Sequence, residues 1–201
     1  MTAPLNAGPS VEQAIALYAA GYFPMDDPAD AHAPLPFYTA ERRAVFDLDD
    51  ASRARLRRRL RRSLRADAGW RLTSDERFEE VVAACARPRE PGDGVWITPR
   101  LQALYRRLHE VGFAHSFELH VGGTLGAGVV GVLLGRAAML ESMFHTLPHA
   151  GNVLLSRTLD ELAARGFLLC DIQLPTEHTM RLGARLIPRE EYERRLRAAL
   201  S

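Results

Sequence analysis

The sequence predicts an α+β fold, an α/β mixed sheet covered by helices, and three observations predict it. After residue 70 the elements read β, α, α, a β-meander, α, β, α, β, α, an order that packs helices on a mixed sheet. Three strand-like runs, residues 113–121, 124–135 and 137–144, follow one another, with Gly122-Gly123 as a tight hairpin turn. Then Phe167, Leu168, Leu169 and Cys170 form a short continuous apolar run, the pattern of a buried parallel strand. The chain has 201 residues, room for one large domain or one domain with a small appendage.

Composition narrows the class. An apolar share of 47% is ordinary for a globular protein. No apolar run is long enough to span a bilayer. The opening MTAPLNAGPS lacks a basic segment followed by an apolar core, so no signal peptide is expected. Cys85 and Cys170 both sit in apolar contexts and make no disulfide framework. A cytoplasmic protein is the expectation. The net charge of +1 points to no particular partner. Every one of the 26 basic residues is arginine, which weakens any argument from arginine count alone.

In order along the chain, residues 1–9 read as a loose tail. Ser10 and Gln13 form a capping-box pattern, and helical periodicity runs to Gly21. Residues 21–46 read as an irregular segment held by aromatic contacts, and long loops of this kind are often functional. Residues 53–65 then place Leu56, Leu60 and Leu64 four apart on a helix, with Arg53, Arg57, Arg58, Arg61, Arg62 and Arg65 around the rest. Two readings of this run stand: a phosphate-binding face, or a solvated helix with a narrow apolar stripe. Residues 70–73 read as a strand. Ser74, Asp75 and Glu76 open a helix to about Ala86. A loop covers residues 88–94. Thr98-Pro99 gives an N-cap and a first-turn proline for a helix stopped by Gly112. After the meander come a helix over residues 151–165, the strand at 167, a short helix at 177–182, a strand at 185–187, and a last helix opened by Pro188.

Chemistry-bearing residues are few. In a strand, Asp171 and Gln173 share a face at the C-terminal end, where open α/β sheets keep their ligands. A carboxylate beside an amide can fix which end of the amide faces outward. Glu141 lies on the third meander strand between apolar neighbours. It is either a rim residue or an acidic anchor for an amine or guanidinium. His145 and His149 flank Pro148 and do not share a helix face as a zinc pair would. His178 follows Gln173 and is read as structural. No nucleophile elbow, P-loop or dinucleotide fingerprint is present. Trp96 is a core residue or a platform for an unpaired base.

Several pieces in succession, GYFPM, RRAVF, GVWIT, LHEVGFAHSFEL, GVVGVLLG, ESMF and DIQLPTEHTMRLGARLIPREEY, resemble the bacterial leucyl/phenylalanyl-tRNA–protein transferase family over residues 11–200. The resemblance implies a small N-terminal domain over residues 1–50 and an acetyltransferase-like (GNAT-like) domain over residues 51–201. It implies transfer of leucine or phenylalanine from aminoacyl-tRNA to proteins with N-terminal arginine or lysine, marking them for degradation; the oligomeric state is left open, with a monomer favoured. No metal and no cofactor is implied. By the same resemblance Gln173 orients the attacking amine and Asp171 polarises Gln173. Glu141 sits near the basic N-terminal residue, Met143 and Val129 line the pocket for the transferred side chain, and Trp96 and Tyr38 stack the terminal adenosine. The arginine run would hold the acceptor stem.

The chain departs from the family pattern at Phe37-Tyr38-Thr39-Ala40, Ala138, Leu140 and Ala150-Gly151-Asn152. These changes bear on amino-acid preference and tRNA contact more than on fold. Competing readings are a transferase acting on acidic N-termini, an acetyl-CoA-dependent N-acetyltransferase and a non-enzymatic RNA-binding module. The second lacks a pyrophosphate-binding loop, and the third leaves Asp171 and Gln173 without purpose.

Overall fold

The structure is a computed structural model that describes residues 8–30, 33–65, 69–88 and 94–201. The readings of residues 1–7 as a tail and of 89–93 as a loop lie outside the described residues. Helix α1 (Val11–Ala19) begins with the capping box read from the sequence: Ser10 and Gln13 satisfy each other's backbone N–H groups. Two short strands, β1 (Phe23–Pro24) and β2 (Phe37–Tyr38), pair in a small sheet of their own.

Next comes β3 (Arg42–Phe46), which leaves this small sheet and enters the large one. It lies between two strands from the other end of the chain, β8 (Leu169–Asp171) and β9 (Arg185–Pro188), antiparallel to both. A boundary at residue 50 therefore falls after a strand that belongs to the large sheet.

The arginine run forms two helices, α2 (Asp50–Arg59) and α3 (Arg61–Arg65), where one was expected. The break at Leu60 turns α3 onto helix α6 (Ala150–Ala164). There the Ser63 hydroxyl lies 3.1 Å from His149 Nδ1 and accepts from Asn152 at 3.2 Å. Strand β4 (Arg71–Ser74) follows. The next helix, α4 (Phe78–Cys85), starts later than Ser74 because Asp75 takes a left-handed φ of 61°. In that conformation its carboxylate accepts the Ser116 N–H at 2.8 Å, tying the turn to the neighbouring strand. Helix α5 (Pro99–Glu110) has Thr98 as N-cap and Pro99 in its first turn, as the sequence indicates.

The meander is β5 (Ala114–Val121), β6 (Thr124–Leu134) and β7 (Ala137–His145). Gly122 and Gly123 both take positive φ in the first turn, a conformation other residues adopt only under strain. After β8 come α7 (Glu177–Leu182), β9 and α8 (Arg189–Leu200). The large sheet has seven strands in the order β4-β5-β6-β7-β8-β3-β9, and β7 and β8 are its parallel pair.

Alternate strand residues fall into two core clusters. Val45, Val130, Val132, Met139 and Leu169 pack with α1, α4, α5 and α8. Phe46, Val129, Leu133, Ala138 and Cys170 pack with α2, α6 and α7. Neighbours along a strand point to opposite faces, so the clusters mark the two faces of one sheet. The His109, His115 and Glu118 motif residues lie toward the β4 edge: His109 stacks on Phe78 at 3.8 Å and His115 Nδ1 meets Asp75 at 2.7 Å. Among the described residues no helix is long and apolar enough to cross a membrane.

Candidate active site

The parallel pairing of β7 and β8 is short, joining Ala137 to Leu169, Ala138 to Cys170 and Met139 to Asp171. Beyond Met139, β7 runs on to His145 while β8 ends at Asp171. The two strands part there and leave a wedge. An irregular register opposite Val130 and Gly131 adds Glu141 as an extra residue on β7 at the mouth of this wedge.

Asp171 is fully buried. Its Oδ1 accepts from Arg43 Nε at 3.3 Å and from the Gln173 backbone N–H at 2.8 Å. Its Oδ2 accepts from Arg43 Nη2 and from the Tyr192 hydroxyl at 3.0 Å. Arg43, 1% exposed, also donates through Nη1 to the Gly21 carbonyl at 2.8 Å. Its guanidinium lies over the Phe23 ring at 4.7 Å and over the Tyr192 ring at 4.3 Å. Burial opposes the arginine's charge, but the Asp171 carboxylate beside it holds its pKa above the usual value. Burial, with the Asp171 charge, pushes the Tyr192 hydroxyl up as well, so it stays a neutral donor.

Gln173 is not on the strand. The strand ends at Asp171, and Gln173 takes a left-handed φ of 58°. The expectation that Asp171 and Gln173 share a strand face is thereby corrected. What Asp171 accepts is the Gln173 backbone N–H, and the Gln173 carbonyl accepts from Ala44 N–H at 3.0 Å.

Glu141 faces the same side of the sheet as this cluster. The residue is half-buried, yet its Oε1 is shut off from solvent and has no close hydrogen bond among the described residues. The buried hydroxyls of Tyr18 from α1 and Tyr105 from α5 are its polar neighbours, with Tyr18 standing between the Glu141 carboxyl and Tyr105. Burial pushes the Glu141 carboxyl up to about 8. The Tyr18 hydroxyl pulls it back, the Asp171 charge raises it further and Arg43 lowers it.

Val129 and Met143 are cross-strand partners; Val129 belongs to the core cluster on the opposite face from Asp171, and Met143 packs against it. Trp96 is half-buried against the first cluster, and Tyr38 is 48% exposed on the small sheet. His178 is exposed on α7. Arg53 and Arg57 both donate to Asp160 Oδ1, at 2.6 and 2.7 Å, and so tether α2 to α6. Arg57, Arg58 and Arg61 with Ala54 line an open groove of about 520 Å³, and Arg62 and Arg65 are exposed beside it. Sequence reasoning missed Arg43, Tyr192, Tyr18 and Tyr105. The one signal was Arg43 standing in an otherwise apolar run, Arg43-Ala-Val-Phe.

Comparison with known proteins agrees with this arrangement. The model of the family described as leucyl/phenylalanyl-tRNA protein transferase matches residues 48–197. A leucyl/phenylalanyl-tRNA–protein transferase of Anaeromyxobacter sp. (strain K) is 41% identical over 190 residues, covering 94% of this chain and 78% of that protein. One from Prosthecochloris aestuarii is 38% identical and covers 95% of each. Among solved structures, FemX aligns over 86% of this chain and 65% of its own with a TM-score of 0.55 and 11% identity, a likeness of fold. The mixed sheet, the wedge between its parallel strands and these matches together place the chain in the leucyl/phenylalanyl-tRNA protein transferase family.

Proposed function

We propose that this protein transfers leucine or phenylalanine from charged tRNA to the free α-amine of proteins that begin with arginine or lysine. One observation carries the choice of a basic N-terminus: a buried oxygen of Glu141 that has no close hydrogen bond among the described residues and sits beside the Tyr18 and Tyr105 hydroxyls. An orphaned buried acceptor is costly, and a cationic side chain or ammonium relieves that cost. An acidic N-terminus would bring a second carboxyl group to that position and offer Glu141 no cation to pair with.

The α-amine nitrogen attacks the ester carbonyl carbon. The new C–N bond forms, the C–O bond to the ribose breaks, and the departing oxygen takes up the proton that nitrogen loses. An ester is already activated, so positioning supplies much of the rate. Gln173 orients the amine, since an amide is a poor base. Asp171 holds Gln173, and no metal or cofactor is called for. Val129 and Met143, on one face of the sheet, would hold the transferred side chain while Glu141, on the other, meets the acceptor. Trp96 and Tyr38 are proposed to stack the terminal adenosine. Arg58, Arg61, Arg62 and Arg65, with the outer part of Arg57, would follow the acceptor-stem backbone, while Arg53 serves as a tether. This reading describes a cytoplasmic enzyme acting as a monomer.

The test incubates the protein with labelled leucyl-tRNA and peptides beginning Arg, Asp or Ala. Label enters the Arg peptide. No transfer to that peptide across a range of salt would reject the assignment, and preferred transfer to the Asp peptide would reject the role of Glu141.

A further inference from the structure

A carboxylate offers about four acceptor directions on its two oxygens, and all four on Asp171 are occupied. Arg43 Nε and the Gln173 N–H fill Oδ1, and Arg43 Nη2 and the Tyr192 hydroxyl fill Oδ2. Nothing remains to take a proton from a substrate. The charge is matched as well, because Arg43 is buried against it between two aromatic rings. A carboxylate so enclosed acts through geometry.

The geometry it controls is the left-handed turn at Gln173. Residues other than glycine hold that conformation only when their surroundings enforce it. Here β3 does so twice. Ala44 donates to the Gln173 carbonyl at 3.0 Å and accepts from Ile172 at 2.9 Å. The residue before it, Arg43, fixes Asp171, whose Oδ1 holds the Gln173 N–H. Helix α8 adds Tyr192, which donates to Asp171 and accepts from Arg43 at 3.2 Å. Two adjacent residues of one strand thus grip both backbone groups of Gln173.

We propose that Arg43, supported by Tyr192, is a positioning residue of the transfer reaction: it fixes Asp171 so that the turn at Gln173 presents its amide in one direction. This rests on the reading that Gln173 orients the attacking amine. Arg43 touches no substrate, and its effect on turnover passes through Asp171 and Gln173.

The test uses the full chain with Arg43→Lys, which keeps the charge and loses the fork, and Tyr192→Phe, which removes one hydroxyl. Thermal unfolding first establishes that each variant is folded at the assay temperature. Misplacing a catalytic group by about 1 Å can cost about 100-fold in rate, and Arg43→Lys is expected to lower kcat on that order. Tyr192→Phe is expected to lower kcat by roughly 3- to 10-fold, the worth of one hydrogen bond. KM for an Arg peptide and Kd for charged tRNA stay within about threefold, as expected when orientation alone is lost. Amide exchange reads the turn directly: the Gln173 N–H exchanges at least about tenfold faster in both variants, while amides of the β5–β6 ladder such as Val130 keep their rate.

A folded Arg43→Lys with unchanged kcat overturns the proposal, even if Gln173 exchange quickens. So does a loss confined to KM or tRNA affinity. If Arg43→Lys fails to fold, Tyr192→Phe decides by the same two measurements. If the parent transfers nothing, the function reading fails, and the exchange rates still decide whether Arg43 holds the turn.

Discussion

The Arg43–Asp171–Tyr192 cluster and the Glu141–Tyr18–Tyr105 cluster share one face of the sheet and lie within electrostatic reach of each other. In the first, every oxygen of the carboxylate is hydrogen-bonded and the charge is paired. In the second, a carboxylate oxygen and two hydroxyls are buried with no close hydrogen bond among the described residues. Each such group costs about 1 to 3 kcal/mol when left unmet. The first cluster spends its polar groups on holding a turn. The second leaves its polar groups loosely met, which fits the proposed place for a basic acceptor. A mutation should therefore act on stability and turnover in one and on substrate binding in the other.

The largest effect tests the filled cluster. Asp171→Ala leaves the Arg43 guanidinium buried and alone, and is expected to cost about 3 to 5 kcal/mol in urea denaturation. A loss under about 1 kcal/mol would remove the contrast, because it would mean that water or repacking replaces the pair easily.

Glu141→Gln should do the reverse. Its KM for an Arg peptide should rise roughly 10- to 100-fold through loss of a charge-assisted contact, with kcat and tRNA affinity little changed. Its pH behaviour sharpens the point. The folded carboxyl titrates at about 8 rather than its ordinary 4.5, so the stability it contributes is complete below the ordinary value and is lost as pH rises through 8. The parent should lose thermal stability over that window relative to Glu141→Gln. KM for the Arg peptide should fall with rising pH in the parent, as Glu141 ionises, and stay level in the variant. Matching pH curves for parent and variant would show that Glu141 carries neither effect.

Gly21→Ala probes the edge of the filled cluster. Gly21 has a φ of +85°, and an added Cβ would meet the Tyr192 ring at 3.1 Å. A cost of about 1 to 3 kcal/mol in denaturation is expected. The smallest effect on stability belongs to the arginine groove. Arg58, Arg61 and Arg65 to Ala, singly, should stay within about 0.5 kcal/mol of the parent. Each should flatten the log–log salt dependence of tRNA binding by a slope of roughly 0.7 to 0.9. A change in the leucine-transfer rate at saturating tRNA would move these arginines from binding into the reaction.

The sequence makes the meander, the helix caps and most element ends legible, since these rest on local chemistry such as Ser10 with Gln13, Thr98 with Pro99, and Gly122 with Gly123. Arg43 was not legible. It stands beside Arg42 in one run, and only the sheet decides that Arg42 is exposed and Arg43 buried. Gln173 was misplaced because the strand was carried two residues too far, and nothing local announces a left-handed glutamine. The late start of α4 has the same origin at Asp75. The openness of Glu141 is a matter of three elements meeting, and a spacing pattern along one strand cannot contain it.

The place of β3 between β8 and β9 has a consequence for the order of assembly. Arg43 and Asp171 are separated by 128 positions along the chain. At a translation rate of about 5 to 20 residues per second, β3 leaves the ribosome roughly ten seconds before its partners exist. The meander, made of neighbours, can close while synthesis continues, whereas so distant a pairing must wait and is slow to form. The filled cluster is therefore completed late, and a nascent chain with its meander already folded still lacks the turn at Gln173 that Arg43 and Asp171 hold.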